Sequence, residues 1–579
     1  MTRLFGDPAE FAEDQLAGFV DLYRDRLRGV PGGVVALPSG APQVAVIVGG
    51  GSGHYPAFAG LVGPGFATGA VVGNIFTSPS AARVYSVAKA AHQGRGVVLS
   101  FGNYAGDTMN FGIAAERLRK EGIDTRIVVV TDDIASAAEE QFRRGIAGDF
   151  TVFKVMGAAE ASGVNLDEVE RLGRAANAST RTLGVAFSGC TMPGANTPLF
   201  TVPAGHLGLG LGIHGEPGIR DEPMPTAVDL ARILVQSVLA SAPAHALGKR
   251  VAVILNGLGT TKYEELFLLW GHVAPMLRDS GYTTVDVEVD EIVTSLDMGG
   301  CSLTLMWLDH ELETHWRADA YTPGYRKQKA PLVSIDTASE QGYTAVEVVA
   351  AAPDSSAASR ALAGLISRAL LTMQSSMHEH EQRLGDIDAI AGDGDHGRGM
   401  VKGIDAAVAA ATAACSDATG VAWVLQRSGQ AWAEKAGGTS GVLWGAAIEA
   451  AGTVLTDDRD RYLPSDIVAG AEAFLEAIVD LGGASTGDKT MVDALIPFVE
   501  ELRARIATGA SVQSAWRAAS VVATSAAANT AAMTPKLGRA RPLAAKSIGT
   551  PDAGATSLAL LVTALGATID LWPTNQLID

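Results

Sequence analysis

The sequence predicts an α/β fold for its first half and an all-α fold for its second, and three observations carry that expectation. At 579 residues the chain is too long for one hydrophobic core to organise. Continuously apolar runs of strand length recur through the first half, alternating with helical stretches and followed by glycine or polar clusters. Past residue 360 such runs fade, and helix-length segments separated by short glycine-rich loops take over.

Taken in order, the strand candidates are Gln43–Val48, Gly96–Phe101, Arg126–Thr131, Thr182–Phe187 and Arg250–Asn256. Their apolar continuity suits strands covered on both faces, with ligand loops at their C-terminal ends. The stretch TASEQGYTAVEVVAAAPDSSAASR changes character and ends in Ala, Ser, Pro and Asp, as linkers do. This reading sets a first domain at 1–335, a linker at 336–360 and a second domain at 361–579. Helix candidates in the second domain are Ala361–Glu379, Val421–Ala436, Ser440–Leu455, Ser465–Leu481, Met491–Ala507, Val512–Ala532 and Ala555–Leu571. No short internal repeat is visible.

The hydrophobic fraction of 47% and charged fraction of 18% are those of a globular protein. A formal net charge of −19 disfavours nucleic acid and anionic membrane surfaces as partners. A polyphosphate ligand would then need metal ions, helix N-termini or a few basic side chains. The three cysteines, Cys190, Cys301 and Cys415, have no metal-ligand spacing and fit a reducing compartment. The opening residues turn acidic at once without an apolar signal core, and no uncharged run spans a bilayer. A cytoplasmic protein is expected.

The most specific chemistry lies in LGDIDAIAGDGDHGRGM, Leu384–Met400. Asp388, Asp393 and Asp395 are interleaved with Gly392, Gly394 and Gly397, and the glycines permit a tight loop in which carboxylates converge. Converging carboxylates repel unless a hard divalent cation joins them, and oxygen ligands favour magnesium. The plain alternative is a solvated Asp-Gly turn between helices. Three further glycine-polar loops weigh against it: GGTSG at Gly437–Gly441, GGASTGDK at Gly482–Lys489, and GRARPLAAKSIGTPDAGATS near the end. Each precedes a helix whose free N–H groups suit phosphate. The spacing GxxxxGK[ST] and a preceding strand are missing, so this is not a P-loop.

In the first half, VAVIVGGGSGHYPAFAG runs an apolar strand into Gly49–Gly53 and His54. A backbone cradle for a small ligand and a phosphate loop both remain open for this glycine run. Asp107 is expected in a loop past the second strand, within GNYAGDTMNF, and His214 lies among glycines in GLGLGIHGEPG. A solitary histidine is usually structural. The concurrence of His54, Asp107 and His214 in glycine-rich segments singles these three out.

Together, GDGDHG, GGTSG, GDKTMVDAL and PDAGATS resemble the nucleotide domain of the dihydroxyacetone kinases, and the first-half segments, with VVGNIFTSPS, GCTMPGANTP, NGLGTTKYEEL and TSLDMGGCSLTL, resemble their substrate domain. The resemblance implies a substrate domain of two α/β subdomains and an all-α helical-barrel domain holding ATP through two magnesium ions. It implies Asp388, Asp393 and Asp395 as metal ligands. It places Asp395, His396, Gly397, Thr439, Ser440, Gly482, Gly483, Arg541, Asp552, Ala553 and Gly554 at the nucleotide. In the sugar pocket it places Gly51, Ser52, Gly53, His54 and Asp107. Within that pocket His214 would bond covalently to a ketose carbonyl, and Asp107 and His54 would accept or orient the proton of the reacting hydroxyl. A homodimer is implied as well.

The chemistry fits those residue types. A neutral imidazole adds reversibly to a carbonyl, which selects ketoses over polyols and fixes the sugar for phosphoryl transfer. Substrate choice is where the sequence departs from the family: GHEPAHAG is GHYPAFAG here, and Gly102 stands where a lysine usually precedes Asn-Tyr. Space at Gly102 suggests a four-carbon ketose, erythrulose, with dihydroxyacetone as the other candidate. A ketose-binding regulator without kinase activity is the alternative class. A phosphoprotein phosphate donor and flavin-nucleotide cyclisation are further rivals.

Overall fold

The computed structural model describes residues 2–38, 40–246, 248–328, 352–436, 438–537 and 544–569. The chain divides into two compact units, Met1–Ser339 and Glu340–Asp579. Most of the expected linker, and Arg541, lie outside the described residues.

The first unit is built on two six-stranded sheets. The first contains β1 (Leu27–Val30), β2 (Gly33–Ala36), β3 (Ala45–Ser52), β4 (Gly69–Ile75), β5 (Val97–Gly102) and β6 (Thr125–Val130), in the order β1-β2-β4-β3-β5-β6. Strands β4, β3, β5 and β6 run parallel, and the β1–β2 hairpin joins β4 antiparallel. The second contains β7 (Thr180–Ala186), β8 (His206–Leu209), β9 (Arg220–Pro223), β10 (Arg250–Gly257), β11 (Thr283–Asp290) and β12 (Gly300–Trp307). Its order is β11-β10-β12-β7-β8-β9, with only β10–β11 parallel. Buried residues of both sheets and of their connections, among them Val46 and Ile254 in strands and Phe58, Ile213 and Met298 between strands, share one core with the helix Gly148–Ala161. The sheets are therefore docked through apolar contact and their loops converge.

Two expectations need correction. The strand expected to stop at Val48 continues to Ser52, because Gly49 and Gly50 keep pairing with Val71 and Val72 of β4. A Cβ on Gly49 would lie 2.7 Å from the Val71 carbonyl, so only glycine lets the ladder close this far. Asp107, expected in a loop, sits in the first turn of the helix Ala105–Lys120.

The second unit is all helix among the described residues. Eight long helices, Ala357–Ala389, His396–Ser416, Val421–Ala436, Gly438–Leu455, Pro464–Gly482, Val492–Ala507, Val512–Asn529 and Ala553–Ile569, pack each against the next. The last returns to the first, which closes the ring into a barrel. Asp388 thus ends a 33-residue helix where a loop was expected, and a helix not expected at all begins at His396. Its glycines hid it: a Cβ on Gly397 would collide with the Glu381 carbonyl, and one on Gly403 would come 2.6 Å from the Trp432 ring. These are close helix-to-helix approaches, so glycine here serves packing despite its poor helix propensity. No helix among the described residues is long and apolar enough to cross a membrane.

Candidate active site

In the first unit a cavity of about 450 Å³ opens where the two sheets meet. Gly49, Gly50 and Gly51 of β3 form its floor, with His54, Asp107 and His214 around it. Ser52 turns away, its hydroxyl donating to the Gly73 carbonyl at 2.6 Å. Gly53 makes room for a neighbour: its Cβ would lie 2.7 Å from the Phe76 ring, and one on Gly51 2.8 Å from the Phe76 Cα. Phe76 has a φ of 53°, unusual for an aromatic residue and typical of strain kept at functional sites. Held there, its ring stacks on His54 at 5.1 Å and meets His214 edge-on at 5.0 Å. The glycine motif therefore shapes the pocket partly through Phe76.

The two imidazoles touch. His54 Nε2 lies 3.0 Å from His214 Nε2. His54 Nδ1 lies 2.7 Å from the Thr294 carbonyl, which can only accept, so Nδ1 carries a hydrogen. His214 Nδ1 lies 2.9 Å from Glu216 Oε1, and the other Glu216 oxygen accepts from the His214 backbone N–H at 2.9 Å. A carboxylate accepts likewise, so His214 Nδ1 also donates. Two neutral rings so arranged would face lone pair to lone pair; a single shared proton in the gap makes the contact attractive. Burial first, and then the His214 charge, pushes the His54 pKa down to about 3, which disfavours a charged His54. Burial alone would raise the Glu216 pKa, but the His214 hydrogen bond and charge overcome this and hold it at about 2. Arg144, paired with Asp133 at 2.7 Å, stands 3.8 Å from Glu216 and steadies it.

Asp107 is 8% exposed, and burial pushes its pKa up to about 6 despite a hydrogen bond from Ser78. It is ionised above that pH and is then a base of useful strength. The space expected beside Gly102 is partly occupied. A Cβ there would meet the Gly145 carbonyl at 3.1 Å and the Tyr104 ring at 3.2 Å.

In the second unit, one oxygen from each of Asp388, Asp393 and Asp395 can be drawn from atoms all lying within 4.8 Å of one another. Asp388 Oδ2 accepts the Gly394 N–H at 2.8 Å, which ties the loop back onto the helix end. Such an all-carboxylate donor set fits magnesium. Next to it opens a second cavity, lined by Asp388, His396, Thr439, Ser440, Gly482 and the Asp552–Gly554 turn. Thr439 and Ser440 lie in the first turn of one helix and Ala553 and Gly554 in the first turn of another, where N–H groups have no intrahelical partner; at the second, Asp552 accepts the Ala555 N–H at 2.7 Å. His396 Nε2 is held 2.9 Å from Ser557 Oγ. Gly397 packs against the neighbouring helix and Gly483 caps a helix with φ 64°; neither lines the cavity.

Sequence reasoning missed Glu216, Phe76, Tyr104, Asp149 and Lys489. Glu216 was within reach, since it follows His214 by two residues in HGEPG. Lys489 lines the second cavity and donates to the Ser547 carbonyl, at the end of the short helix Ala544–Ser547, at 2.6 Å.

Comparison with known proteins places both cavities in context. Residues 17–324 match the Dak1 domain and residues 390–567 the DAK2 domain. This chain belongs to the dihydroxyacetone kinase family. It is a kinase with both domains on one polypeptide. It is 59% identical to a D-erythrulose kinase of Mycolicibacterium smegmatis, over 97% of each chain. It is 50% identical to an L-erythrulose kinase of Pectobacterium atrosepticum, over 98% of this chain and 97% of that one. The crystal structure of the dihydroxyacetone kinase from C. freundii with AMP-PNP and Mg2+ is 28% identical, with a TM-score of 0.58 over 98% of this chain and 99% of that one.

Proposed function

We propose that this kinase phosphorylates a terminal hydroxyl of erythrulose, bound through its carbonyl carbon to His214 Nε2, with ATP as donor. The observation that carries the reading is the 3.0 Å contact between the Nε2 atoms of His54 and His214, with Glu216 2.9 Å from His214 Nδ1, an arrangement that one shared proton would make attractive. When a ketose enters, that proton passes to His54 and frees the His214 Nε2 lone pair. Nε2 bonds to the carbonyl carbon, the C=O π electrons move to oxygen, and His54 returns the proton there. The product is a hemiaminal. His214, now alkylated at Nε2 and still protonated at Nδ1, carries the positive charge opposite Glu216. Charge is the same before and after, so no further acid is required.

Asp107 then accepts the proton of the terminal hydroxyl as its oxygen attacks phosphorus, with neutral His54 as its orienting partner. Asp388, Asp393 and Asp395 would hold magnesium, and His396, Thr439, Ser440, Gly482 and Asp552–Gly554 the nucleotide. Bound there, magnesium and ATP supply a charge-neutralised phosphoryl group. The family resemblance extends the reading to Arg541 at the nucleotide, two magnesium ions, domains at 1–335 and 361–579, and a cytoplasmic homodimer. The erythrulose kinases at 50–59% identity support the four-carbon substrate over dihydroxyacetone. A regulator that only binds ketose is disfavoured, because the acidic triad and its helix N-termini would then serve nothing.

The test is an ATP-dependent activity panel of both erythrulose enantiomers, dihydroxyacetone and glycerol. One erythrulose enantiomer should give the highest kcat/KM and glycerol essentially none. Dihydroxyacetone ahead by more than tenfold overturns the substrate assignment; no ketose turnover overturns the whole reading.

A further inference from the structure

Nine buried side-chain nitrogen and oxygen atoms among the described residues lack a hydrogen-bond partner. Four of them are oxygens, and three of those four belong to residues lining the sugar cavity: Tyr104 Oη, Asp107 Oδ1 and Asp149 Oδ1. Such a concentration has a physical meaning. Buried polar atoms are almost always paired, and those left open in one cavity mark where a ligand completes the pairing. Asp107 is already accounted for by the reacting hydroxyl. Asp149 and Tyr104 are not used by the chemistry above.

Asp149 is 4% exposed and lies in the first turn of the helix Gly148–Ala161. Its free oxygen packs close to Gly145, where a Cβ would come within 3.0 Å of it and 2.5 Å of the Gly102 Cα. Tyr104 precedes the helix that carries Asp107, and its ring stands edge-on to His214 at 5.0 Å. Both groups line the cavity that His214 lines, and Tyr104 stands against the His214 ring itself.

We infer that Asp149 and Tyr104 form a hydroxyl-recognition subsite that selects a ketose bearing three hydroxyl groups over one bearing two. The inference deepens the function proposed above and rests on it. Apart from the hemiaminal hydroxyl formed on the former carbonyl, which His54 protonates, a three-carbon ketose bound to His214 has two hydroxyls for three open oxygens. A four-carbon ketose has three. A site built to hydrogen-bond a hydroxyl discriminates strongly against an analogue that lacks it. Burial, reinforced by the Asp132 and Asp107 carboxylates, raises the Asp149 pKa well above the ordinary carboxylate range. That favours the neutral acid, which can donate as well as accept, as a sugar hydroxyl requires.

The experiment is the ratio of kcat/KM for the preferred erythrulose enantiomer to that for dihydroxyacetone, in the full-length chain with ATP and magnesium. Asp149→Ala should lower this ratio about tenfold to a hundredfold, the scale of one buried hydrogen bond. Asp149→Asn, an isosteric neutral donor and acceptor, should restore most of it. Tyr104→Phe, which removes one oxygen and little else, should lower it severalfold. A ratio within threefold of the parent in both Asp149→Ala and Tyr104→Phe overturns the subsite, because loss of fold or of general catalysis moves both rates together. Absence of ketose phosphorylation in the parent chain instead sinks the function on which the subsite rests.

Discussion

Replacing Glu216 with glutamine isolates the charge that the proposed adduct depends on. The amide keeps the size of the side chain and an oxygen facing His214 Nδ1, so the 2.9 Å contact can survive while the negative charge does not. The structure sets the scale. The Glu216 pKa is drawn from its ordinary 4.5 to about 2, against a burial effect that acts the other way. That displacement corresponds to roughly 3 kcal/mol of preference for the ionised form. The pairing with His214 provides most of it, and linkage makes the favour mutual. The free pair already carries one proton, so only the part gained when that charge becomes fixed on the alkylated His214, about 1–1.5 kcal/mol, distinguishes the adduct. Glu216→Gln should then lower kcat/KM for ketose by about fivefold to tenfold. The coupled ADP-release assay measures this, with thermal unfolding as the check that the fold is intact. A folded variant within threefold of the parent would refute the claim that a charged imidazole is stabilised at this step.

Other expectations follow from the same geometry. Asp393→Ala should reduce turnover by more than about a thousandfold while calorimetry still detects erythrulose binding, since metal neutralisation is needed only for transfer. A base must be ionised to act and Asp107 ionises at about 6, so kcat/KM should fall as pH drops through 6, and Asp107→Asn should abolish that acid limb in a pH-rate profile. His214→Ala should erase the preference for ketose over glycerol, read as the ratio of their kcat/KM values. Gly157→Ala drives a methyl into the Phe66 carbonyl and should cost about 1–3 kcal/mol of stability, seen as a lowered unfolding midpoint.

Much of this was legible in the sequence, for identifiable reasons. The strands β3, β5 and β10 are buried along nearly their whole length, so they stand out as largely apolar runs. By contrast β9, Arg220–Pro223, is a polar edge strand whose pairing comes entirely from β8. Nothing in RDEP announces it. The helix His396–Ser416 hides behind glycines that are there for the neighbouring helices. His54, Asp107, His214 and the acidic triad could be found because glycine-rich surroundings leave a titratable side chain little else to do. Phe76, Tyr104 and Asp149 could not. Their importance comes from what they face across the cavity, and that is settled by docking of the sheets.

The ring-to-ring contact has a mechanical side. His54 follows the end of β3 and His214 comes 160 residues later, from the connection between β8 and β9. One ring is therefore anchored to each sheet, and the spacing between them works as an alignment gauge for the apolar seam. A slip of an ångström along that seam would leave every β-ladder intact yet part the two nitrogens. Lesions in the seam, at Ile213 or Met298 for instance, should thus silence the enzyme long before spectroscopy registers any lost structure.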